Sequence, residues 1–270
     1  MQKPDSFNII GTDTRYNRTF SIPVLYYNPS TFSSSINQTA PTIESILQSY
    51  FPQHKFRLIH QLDHCTSGVH MWGLEKTPTR NASQAFESRR VQKTYSAIVN
   101  GFVEADDFTV EQAIAEMIGD LQRRMCIGTP DNPGRAAKTE GKTIRRGYMR
   151  LPSGRVKRVS HVELKPESGR RHQLRVHMAS IGHAMPFFTT DAHRTMLHSR
   201  RLVMSLEKEG LIEIVTPDPF LEMLIPEEEI TDDLQALATS QENVARVWMR
   251  YGLDGKDVEY DLSGNVLEVE

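Results

Sequence analysis

Strand-type and helix-type segments follow one another along this chain without the regular strand–helix–strand alternation that a parallel sheet requires. Strands are predicted over residues 56–62, 69–74, 93–101, 160–166 and 211–215. Helices are predicted over residues 42–51, 79–90, 172–181 and 230–251. This irregular order predicts an α+β fold, in which a mixed, mostly antiparallel sheet is flanked by helices and loops around a central cleft.

The ends of two predicted helices carry the expected boundary residues. Thr42 is placed to cap the N-terminus of the first helix, and Pro52 ends that helix. Gly182 is the expected C-cap of the helix over 172–181. A loop-rich insertion with short strands is predicted over residues 106–160.

One carboxylate has an unusual setting in the sequence HQLDHCTSG at residues 60–68. Asp63 follows the hydrophobic segment 56–59 and precedes the small-residue turn 66–68, an arrangement that presents a reactive side chain at the end of a buried strand. The cation-rich segment 169–183, GRRHQLRVHMASIGH, lies more than a hundred residues later. Together they predict a site assembled across the fold. Without such company, Asp63 would be a turn carboxylate that caps amides.

Charge is distributed very unevenly along a chain whose formal net charge is −2. Residues 121–175 contain fifteen Lys and Arg against four Asp and Glu, whereas residues 221–270 contain three against thirteen. A basic segment within a near-neutral protein is the electrostatic footprint of a polyanion partner. A basic surface neutralised by the acidic tail is the alternative, and the two interpretations are compatible.

The cysteines and histidines give little support for a metal centre. Cys65 and Cys126 are the two cysteines of the chain, too few for a disulfide framework or a four-cysteine zinc site. His60 and His64 have the spacing of the H-E-x-x-H zinc helix, but Gln61 replaces the glutamate that this pattern needs as a general base. A zinc hydrolase is therefore the least favoured function, and we expect no metal.

Several segments, in the same order and spacing, resemble the RluA-type pseudouridine synthases. The family motif H-R-L-D-x-x-T-S-G is similar to residues 60–68, and the glutamine variant is that of some eukaryotic members. The K-x-Y strand of the family is matched at 93–95, and its G-R-x-H-Q-[IL]-R-V-H motif at 169–177. Two further segments that look like family motifs are residues 113–120 and 134–139. The similarity covers roughly residues 45–215 and implies the pseudouridine synthase catalytic fold.

The resemblance implies an enzyme that isomerises uridine to pseudouridine in a structured RNA, either tRNA or rRNA. The target base has to leave its stack to be reached. Asp63 would act as the nucleophile or general base that starts cleavage of the glycosidic bond. Tyr95 would stack on the flipped base and help to remove the C5 proton, and Arg175 would pair with Asp63 and keep it ionised. No cofactor is implied.

The resemblance also implies a set of substrate-binding residues. Gln61 stands where most of the family has the arginine that is expected to fill the gap left by the flipped base. Leu174 would line the base pocket. Arg170 and Arg171 are expected to meet phosphate, and His172 is counted with them as a contact to RNA phosphate, unless it is structural.

Two departures from the family pattern support an alternative function. Gln61 is shorter than arginine and uncharged, and residues 184–191 replace the sequence with which the family continues after its third motif. The alternative is a catalytically weak pseudouridine synthase-like protein that binds RNA.

The outline of the chain is one large unit with a tail. Residues 1–220 are predicted to form the pseudouridine synthase-like domain, and residues 221–270 an acidic C-terminal extension. No apolar run approaches the about 20 residues that a membrane-spanning helix needs, and we see no secretory signal. We expect a cytoplasmic protein without a membrane partner, and a mitochondrial or nuclear location stays open.

Overall fold

The computed structural model describes residues 43–63, 66–120, 123–151, 156–186, 195–206, 210–226, 229–232, 247–249, 258–260 and 266–267. The helices are α1 (Ile43–Tyr50), α2 (Lys76–Glu87) and α3 (Gln173–Ser180). The strands are β1 (Arg57–Leu58), β2 (Ser67–Gly68), β3 (Trp72–Gly73), β4 (Val91–Asn100), β5 (Asp107–Glu111), β6 (Ile114–Glu116), β7 (Met125–Ile127), β8 (Lys138–Arg150), β9 (Val156–Pro166), β10 (Leu197–Leu206), β11 (Gly210–Val215), β12 (Ile225–Pro226), β13 (Val247–Met249), β14 (Val258–Tyr260) and β15 (Val266–Leu267). None of these helices is long and apolar enough to cross a membrane.

One sheet of eight strands organises the part of the chain that the structure describes. The strand order across it is β11-β10-β4-β9-β8-β12, with β5 also paired to β8 and β2 paired to β10. Of these pairings, only that of β2 with β10 is parallel. The strands β13, β14 and β15 form a separate antiparallel sheet. The predicted α+β fold with a mixed, mostly antiparallel sheet is confirmed.

Most predicted elements lie close to the observed ones. The predictions over 93–101, 160–166 and 211–215 correspond to β4, β9 and β11, and those over 42–51, 79–90 and 172–181 correspond to α1, α2 and α3. Gly182 follows α3 with a φ of 86°, a left-handed conformation that ends a helix as predicted. Thr42, the predicted cap of α1, lies outside the described residues.

The prediction of a loop-rich insertion over 106–160 was wrong. It contains β8, a strand of 13 residues that pairs with β9 along its length. The pairing shifts register between Thr143 and Arg145. A bulge of this kind breaks the two-residue alternation by which a long strand is recognised.

Two predicted strands are shorter in the structure, and part of one predicted helix is a strand. Within the predicted strand 56–62 only Arg57–Leu58 forms a strand, and within 69–74 only Trp72–Gly73 does. Val247–Met249 is a strand inside the predicted helix 230–251. Much of that helix prediction falls on residues outside the described part.

The sheet separates a face covered by α3 from a reverse face covered by the chain after β11. The cluster on the α3 face consists of Ala97, Val99, Val103, Val162, Leu164, Leu174, Met178, Met185 and Leu197. The cluster on the reverse face consists of Ile98, Met149, Leu151, Val159, Met196, Phe220 and Leu224. Side chains alternate along β4, so Tyr95 packs on the α3 face, and Ser96 points to the reverse face.

Candidate active site

The turn that carries Asp63 is anchored at the edge of the sheet by the short parallel strand β2. The N–H of Thr66 donates to the carbonyl of Asp63 at 3.0 Å, and β2 follows at once. Gly68 has a φ of 104°, and a Cβ there would lie 2.1 Å from the carbonyl oxygen of Ser199. Part of the predicted small-residue turn is therefore a strand, and its glycine allows the close approach to β10.

Two histidines hold the chain just before Asp63. The Nε2 of His70 lies 2.9 Å from the carbonyl oxygen of His60, and the Nε2 of His60 accepts from the N–H of Met71 at 3.1 Å. The ring of His60 stacks on Phe86 with a centroid separation of 4.5 Å. Burial, reinforced by His70, lowers the pKa of His60 to about 3, and burial also lowers the pKa of His70. Both rings are therefore neutral near pH 7.

Tyr95 lies on β4, directly across from the anchor of the Asp63 turn. The register aligns Tyr95 with Ser199, and Ser199 with Gly68. Burial and then the charge of Asp63 raise the pKa of Tyr95 to about 12, while a hydrogen bond with the Ser199 side chain acts in the opposite direction. Tyr95 is thus a neutral phenol within electrostatic reach of Asp63.

Two side chains of the third motif fasten α3 to the start of β8. The amide Nε2 of Gln173 donates to the carbonyl of Lys138 at 2.9 Å and to Thr139 Oγ1 at 3.0 Å. His177 contacts the same Thr139 hydroxyl through Nδ1 at 2.9 Å. These bonds orient α3, so that Leu174 enters the apolar cluster against which Tyr95 packs.

His172 combines an unusual backbone with a position near Asp63. Its φ of 54° and ψ of 18° place it in the left-handed region just before α3, a conformation that costs about 1–2 kcal/mol for a non-glycine residue. Burial lowers the pKa of His172, the charge of Asp63 raises it, and Arg175 and Arg171 lower it. One carboxylate and two arginines therefore act on a single ring, a proximity to Asp63 that sequence analysis missed.

The structure thus brings most of the predicted site residues into one neighbourhood on the α3 face. Asp63 acts on Tyr95 and His172, Arg175 acts on His172, and Leu174 shares a cluster with Tyr95. The elements that meet there are the turn before β2, the strand β4 and the N-terminal end of α3. Residues far apart in the chain form one polar site with an apolar wall.

A buried polar cluster supports β4 on the reverse face, directly behind this site. Ser96 Oγ donates to Asp218 Oδ2 at 2.6 Å, and Ser96 Oγ also lies 2.6 Å from His161 Nε2. The second carboxylate oxygen of Asp218 accepts from the N–H of Phe220 at 2.9 Å. Burial opposes ionisation of Asp218, but the bonds from His161, Ser96 and Phe220 outweigh it and lower the pKa of Asp218 to about 2.

A second buried chain of hydrogen bonds on this face reaches β2, the strand that follows the Asp63 turn. The Nδ1 of His198 lies 2.7 Å from Ser67 Oγ, and its Nε2 lies 2.8 Å from Thr216 Oγ1. A neutral ring with its proton on Nε2 satisfies both contacts. Sequence analysis missed both clusters. The available signal was the segment TPDPF at 216–220, in which a carboxylate stands between two prolines and invites a side-chain turn.

Comparison with known proteins agrees with the motif order. Residues 1–180 match the family model described as RNA pseudouridylate synthase. The chain belongs to the RNA pseudouridylate synthase family. Its RluA-type motifs occur in the order of that family, whose members form a class of isomerases.

Individual relatives of this pseudouridylate synthase family member are moderately similar. The chain is 37% identical over 150 residues to tRNA pseudouridine synthase C of Pectobacterium carotovorum subsp. carotovorum, covering 55% of this chain and 38% of that protein. It is 35% identical over 204 residues to RNA pseudouridylate synthase domain-containing protein 1 of Mus musculus, covering 68% and 64%. These matches span less than two thirds of either relative. The structure of human RNA pseudouridylate synthase domain containing 1 has a TM-score of 0.59 at 31% identity, covering 73% of this chain and 84% of that one.

The remaining predicted residues of this family member lie around the site. Gln61 is exposed two positions before Asp63. Arg171 is exposed, whereas the half-buried Arg170 donates from Nε to the carbonyl of Ala136 at 3.2 Å. Residues 187–191 of the altered segment 184–191 lie outside the described part.

The histidine pair considered for zinc is divided between described and undescribed residues. The Nε2 of His60 is occupied by the N–H of Met71, and His64 lies outside the described part. Within the residues that the structure describes, no three His, Cys, Asp or Glu side chains are grouped to hold a metal ion.

Proposed function

We propose that the protein is an RNA pseudouridine synthase that isomerises uridine to pseudouridine in a structured RNA, with tRNA or rRNA as the substrate class. The observation that carries the proposal is the meeting of Asp63 with Tyr95, His172 and the third-motif arginines on one face of a family fold. One relative is named for tRNA, which supports tRNA as the first substrate to test.

The reaction is an isomerisation whose atoms balance within the substrate. The N1–C1′ bond of uridine breaks, a C5–C1′ bond forms, C5 loses its proton and N1 gains one. Asp63 acts as the nucleophile or general base that starts this exchange, and Arg175 orients its carboxylate. No electron leaves or enters, so this chemistry calls for no redox cofactor.

Tyr95 and Leu174 form the place for the flipped base. Leu174 is 6% exposed and belongs to the cluster against which the Tyr95 ring packs, which gives one apolar wall. Base–aromatic stacking contributes about 1–3 kcal/mol. With a pKa of about 12, Tyr95 is a neutral phenol near pH 7, which suits stacking and a proton relay more than the role of a strong base.

The decisive experiment follows the C5 proton. A pool of unmodified tRNA and rRNA carrying tritium at C5 of uridine is incubated with the wild type, with Asp63→Asn and with Asp131→Asn. Asp131 is an exposed carboxylate outside the site and serves as the matched control. We expect tritium release by the wild type and the control, and a loss of at least about a hundredfold for Asp63→Asn.

Either of two results would contradict this proposal. If no RNA in the pool releases tritium, or if release is the same with Asp63→Asn, the protein is not an Asp63-dependent synthase. Thermal unfolding of Asp63→Asn, checked in parallel, separates lost chemistry from lost structure.

A second function is favoured by one observation, the exposed Gln61 where the family's base-displacing arginine is expected. Glutamine is shorter than arginine and uncharged. It would therefore fill the gap left by the flipped base less well, and base extrusion would be inefficient. The protein would then act as an RNA-binding member with little turnover. This function predicts salt-dependent RNA binding that survives Asp63→Asn, without pseudouridine in any RNA.

A further inference from the structure

A cleft of about 550 Å³ lies between the end of α2, the start of β8 and the chain leading to α3. The charged residues that line it are Arg89, Glu111, Lys138 and Glu167. Glu167 forms an ion pair with Lys138. Arg89 and Glu111 form no ion pair among the described residues. With two cations and two carboxylates, the lining itself carries no net charge, and any positive excess comes from cations beside it.

Three more cations lie beside Ala136 or Ser168, two residues that line this cleft. Arg170 donates from Nε to the carbonyl of Ala136 at 3.2 Å, and Arg135 immediately precedes Ala136 in the chain. Lys93 Nζ lies 3.5 Å from the carbonyl oxygen of Ser168. Together with Arg89 they form what is here called the cation rim: Arg89, Lys93, Arg135 and Arg170.

The charges of the cation rim act on one another. Burial lowers the pKa of Arg170, and the positive charges of Arg89 and Arg135 lower it further. Burial and then Arg89 likewise lower the pKa of Lys93. These shifts show that the cations are close enough to repel, which is the arrangement that an anion would relieve.

Several cations elsewhere in the described structure are paired with carboxylates, whereas those of the cation rim are not. Arg123, Arg124, Arg146 and Arg201 each lie 2.7–2.8 Å from a carboxylate oxygen. Among the described residues, no carboxylate lies within the 4.0 Å of an ion pair from any nitrogen of the cation rim. Charge that is left unbalanced at one place marks a place for an anionic ligand.

We infer that the cation rim is a binding site for a phosphodiester group of the RNA, next to the nucleotide whose base reaches Tyr95. Arg presents forked donors that match phosphate oxygens, and Lys adds a point charge. Lys93 is two residues before Tyr95 on β4, so the two side chains share a face about 7 Å apart. The inference rests on the proposed function, because it places the target base at Tyr95.

The test measures how RNA affinity depends on salt. The full chain is titrated with fluorescent polyuridylate at several salt concentrations, because phosphate attraction does not depend on sequence. The variants are Arg89→Gln, Arg135→Gln and the double substitution, both positions being exposed. Arg150→Gln is the matched control, since Arg150 is exposed at the far end of β8, about 40 Å from Lys138.

We expect each rim substitution to reduce the slope of log affinity against log salt by about 0.7, with about tenfold weaker binding for the double variant at low salt. The control should leave the slope unchanged. Equal slopes in the wild type and the double variant, or no binding of polyuridylate by the wild type, would overturn the inference. So would a wild type that binds inorganic phosphate, detected by titration with phosphate alone, in an Arg89-dependent manner while the polyuridylate slope stays unaltered.

These outcomes stay distinct from the test of the proposed function, because binding is measured without turnover. A reduced slope in a protein that releases no tritium supports the phosphodiester site and overturns the synthase. Tritium release with an unaltered slope does the reverse.

Discussion

Tyr95 and Ser96 are neighbours on β4, yet they face two environments of opposite character. On the Tyr95 side, the charge of Asp63 acts to raise the pKa of both Tyr95 and His172, and the charge of Arg175 acts to lower the pKa of His172. On the Ser96 side, the hydroxyl bonds to both Asp218 and His161 at 2.6 Å. The difference teaches that charges which act on one another on one face of the sheet are backed by hydrogen-bonded polar groups on the other.

Two buried polar atoms of the described residues have no hydrogen-bond partner. Among the described residues they are Thr66 Oγ1 and Asn100 Oδ1. Thr66 follows Asp63 by three residues, whereas neither atom belongs to the reverse-face clusters. An unsatisfied buried group costs about 1–3 kcal/mol, and Thr66 places one such cost beside the turn that carries Asp63.

The largest expected effect is a loss of unfolding free energy when the buried polar cluster of the reverse face is disrupted. Replacement of Asp218 by alanine leaves His161 and Ser96 buried without their carboxylate. Removal of one partner of a buried pair costs about 3–5 kcal/mol in unfolding free energy. Urea unfolding should show this loss, whereas the tritium assay below the unfolding range should show little change in turnover per folded molecule.

The Asp218 prediction has a control in an exposed pair. The Arg201–Glu213 pair is similarly short at 2.7 Å, but its side chains are 39% and 46% exposed. Glu213→Ala should therefore cost no more than about 1 kcal/mol. If the two substitutions destabilise the protein equally, the reverse-face cluster has no special structural role.

A smaller effect, confined to chemistry, is expected on the opposite face. Tyr95→Ala removes the stacking surface and should lower kcat/KM by about 5- to 150-fold, the equivalent of 1–3 kcal/mol. Tyr95→Phe keeps the ring and separates stacking from the role of the hydroxyl. If Tyr95→Ala matches the wild type in tritium release, the base does not stack at this position.

Mild acid should act on a third region, the His60–His70 pair, before it affects Asp218. The pKa of His60 in the folded protein is about 3, below the ordinary histidine value of 6.5, so between these pH values the unfolded chain binds more protons than the folded chain. Stability is therefore fully present above pH 6.5 and declines as the pH falls, with a slope of up to about 1.4 kcal/mol per pH unit from one such group.

The pH prediction is checked by urea unfolding at several pH values in the wild type and in His60→Asn. The variant should be less stable at neutral pH and should have a shallower pH slope between about 6.5 and 4. Asp218, whose pKa is lowered to about 2, contributes stability that is lost only at much lower pH. Parallel slopes in the two proteins would contradict the role given to His60.

The sequence predicted the fold class and the core of the site, because both are encoded in local patterns. Apolar alternation over 160–166 and the third motif located β9 and α3 within a few residues. The extent of β8 was missed because its bulge between Thr143 and Arg145 interrupts the alternation. Most of 56–62 is not a strand, since the His60 carbonyl accepts from a histidine ring instead of a neighbouring strand.

Contacts between distant segments could not be predicted from the sequence. Nothing in the local sequence of His161 or His198 indicates that Asp218 and Thr216 will cover them from the far side of β10. The unpaired state of Arg89 and Arg135 is equally a property of the folded surroundings. Sequence patterns identify residues that carry chemistry, but the groups that orient them are determined by the packing of the sheet.

The parallel contact between β2 and β10 has a consequence for the order of folding. Ser67 and His198, which meet in this contact, are 131 residues apart in the chain. Contacts of such long range form late, because closing so large a loop loses entropy before any contact compensates. During synthesis, the turn that carries Asp63 cannot be anchored until β10 and Thr216 have emerged from the ribosome. Shorter nascent chains therefore contain the motif without its anchor, and the candidate site is completed only with the later strands of the sheet.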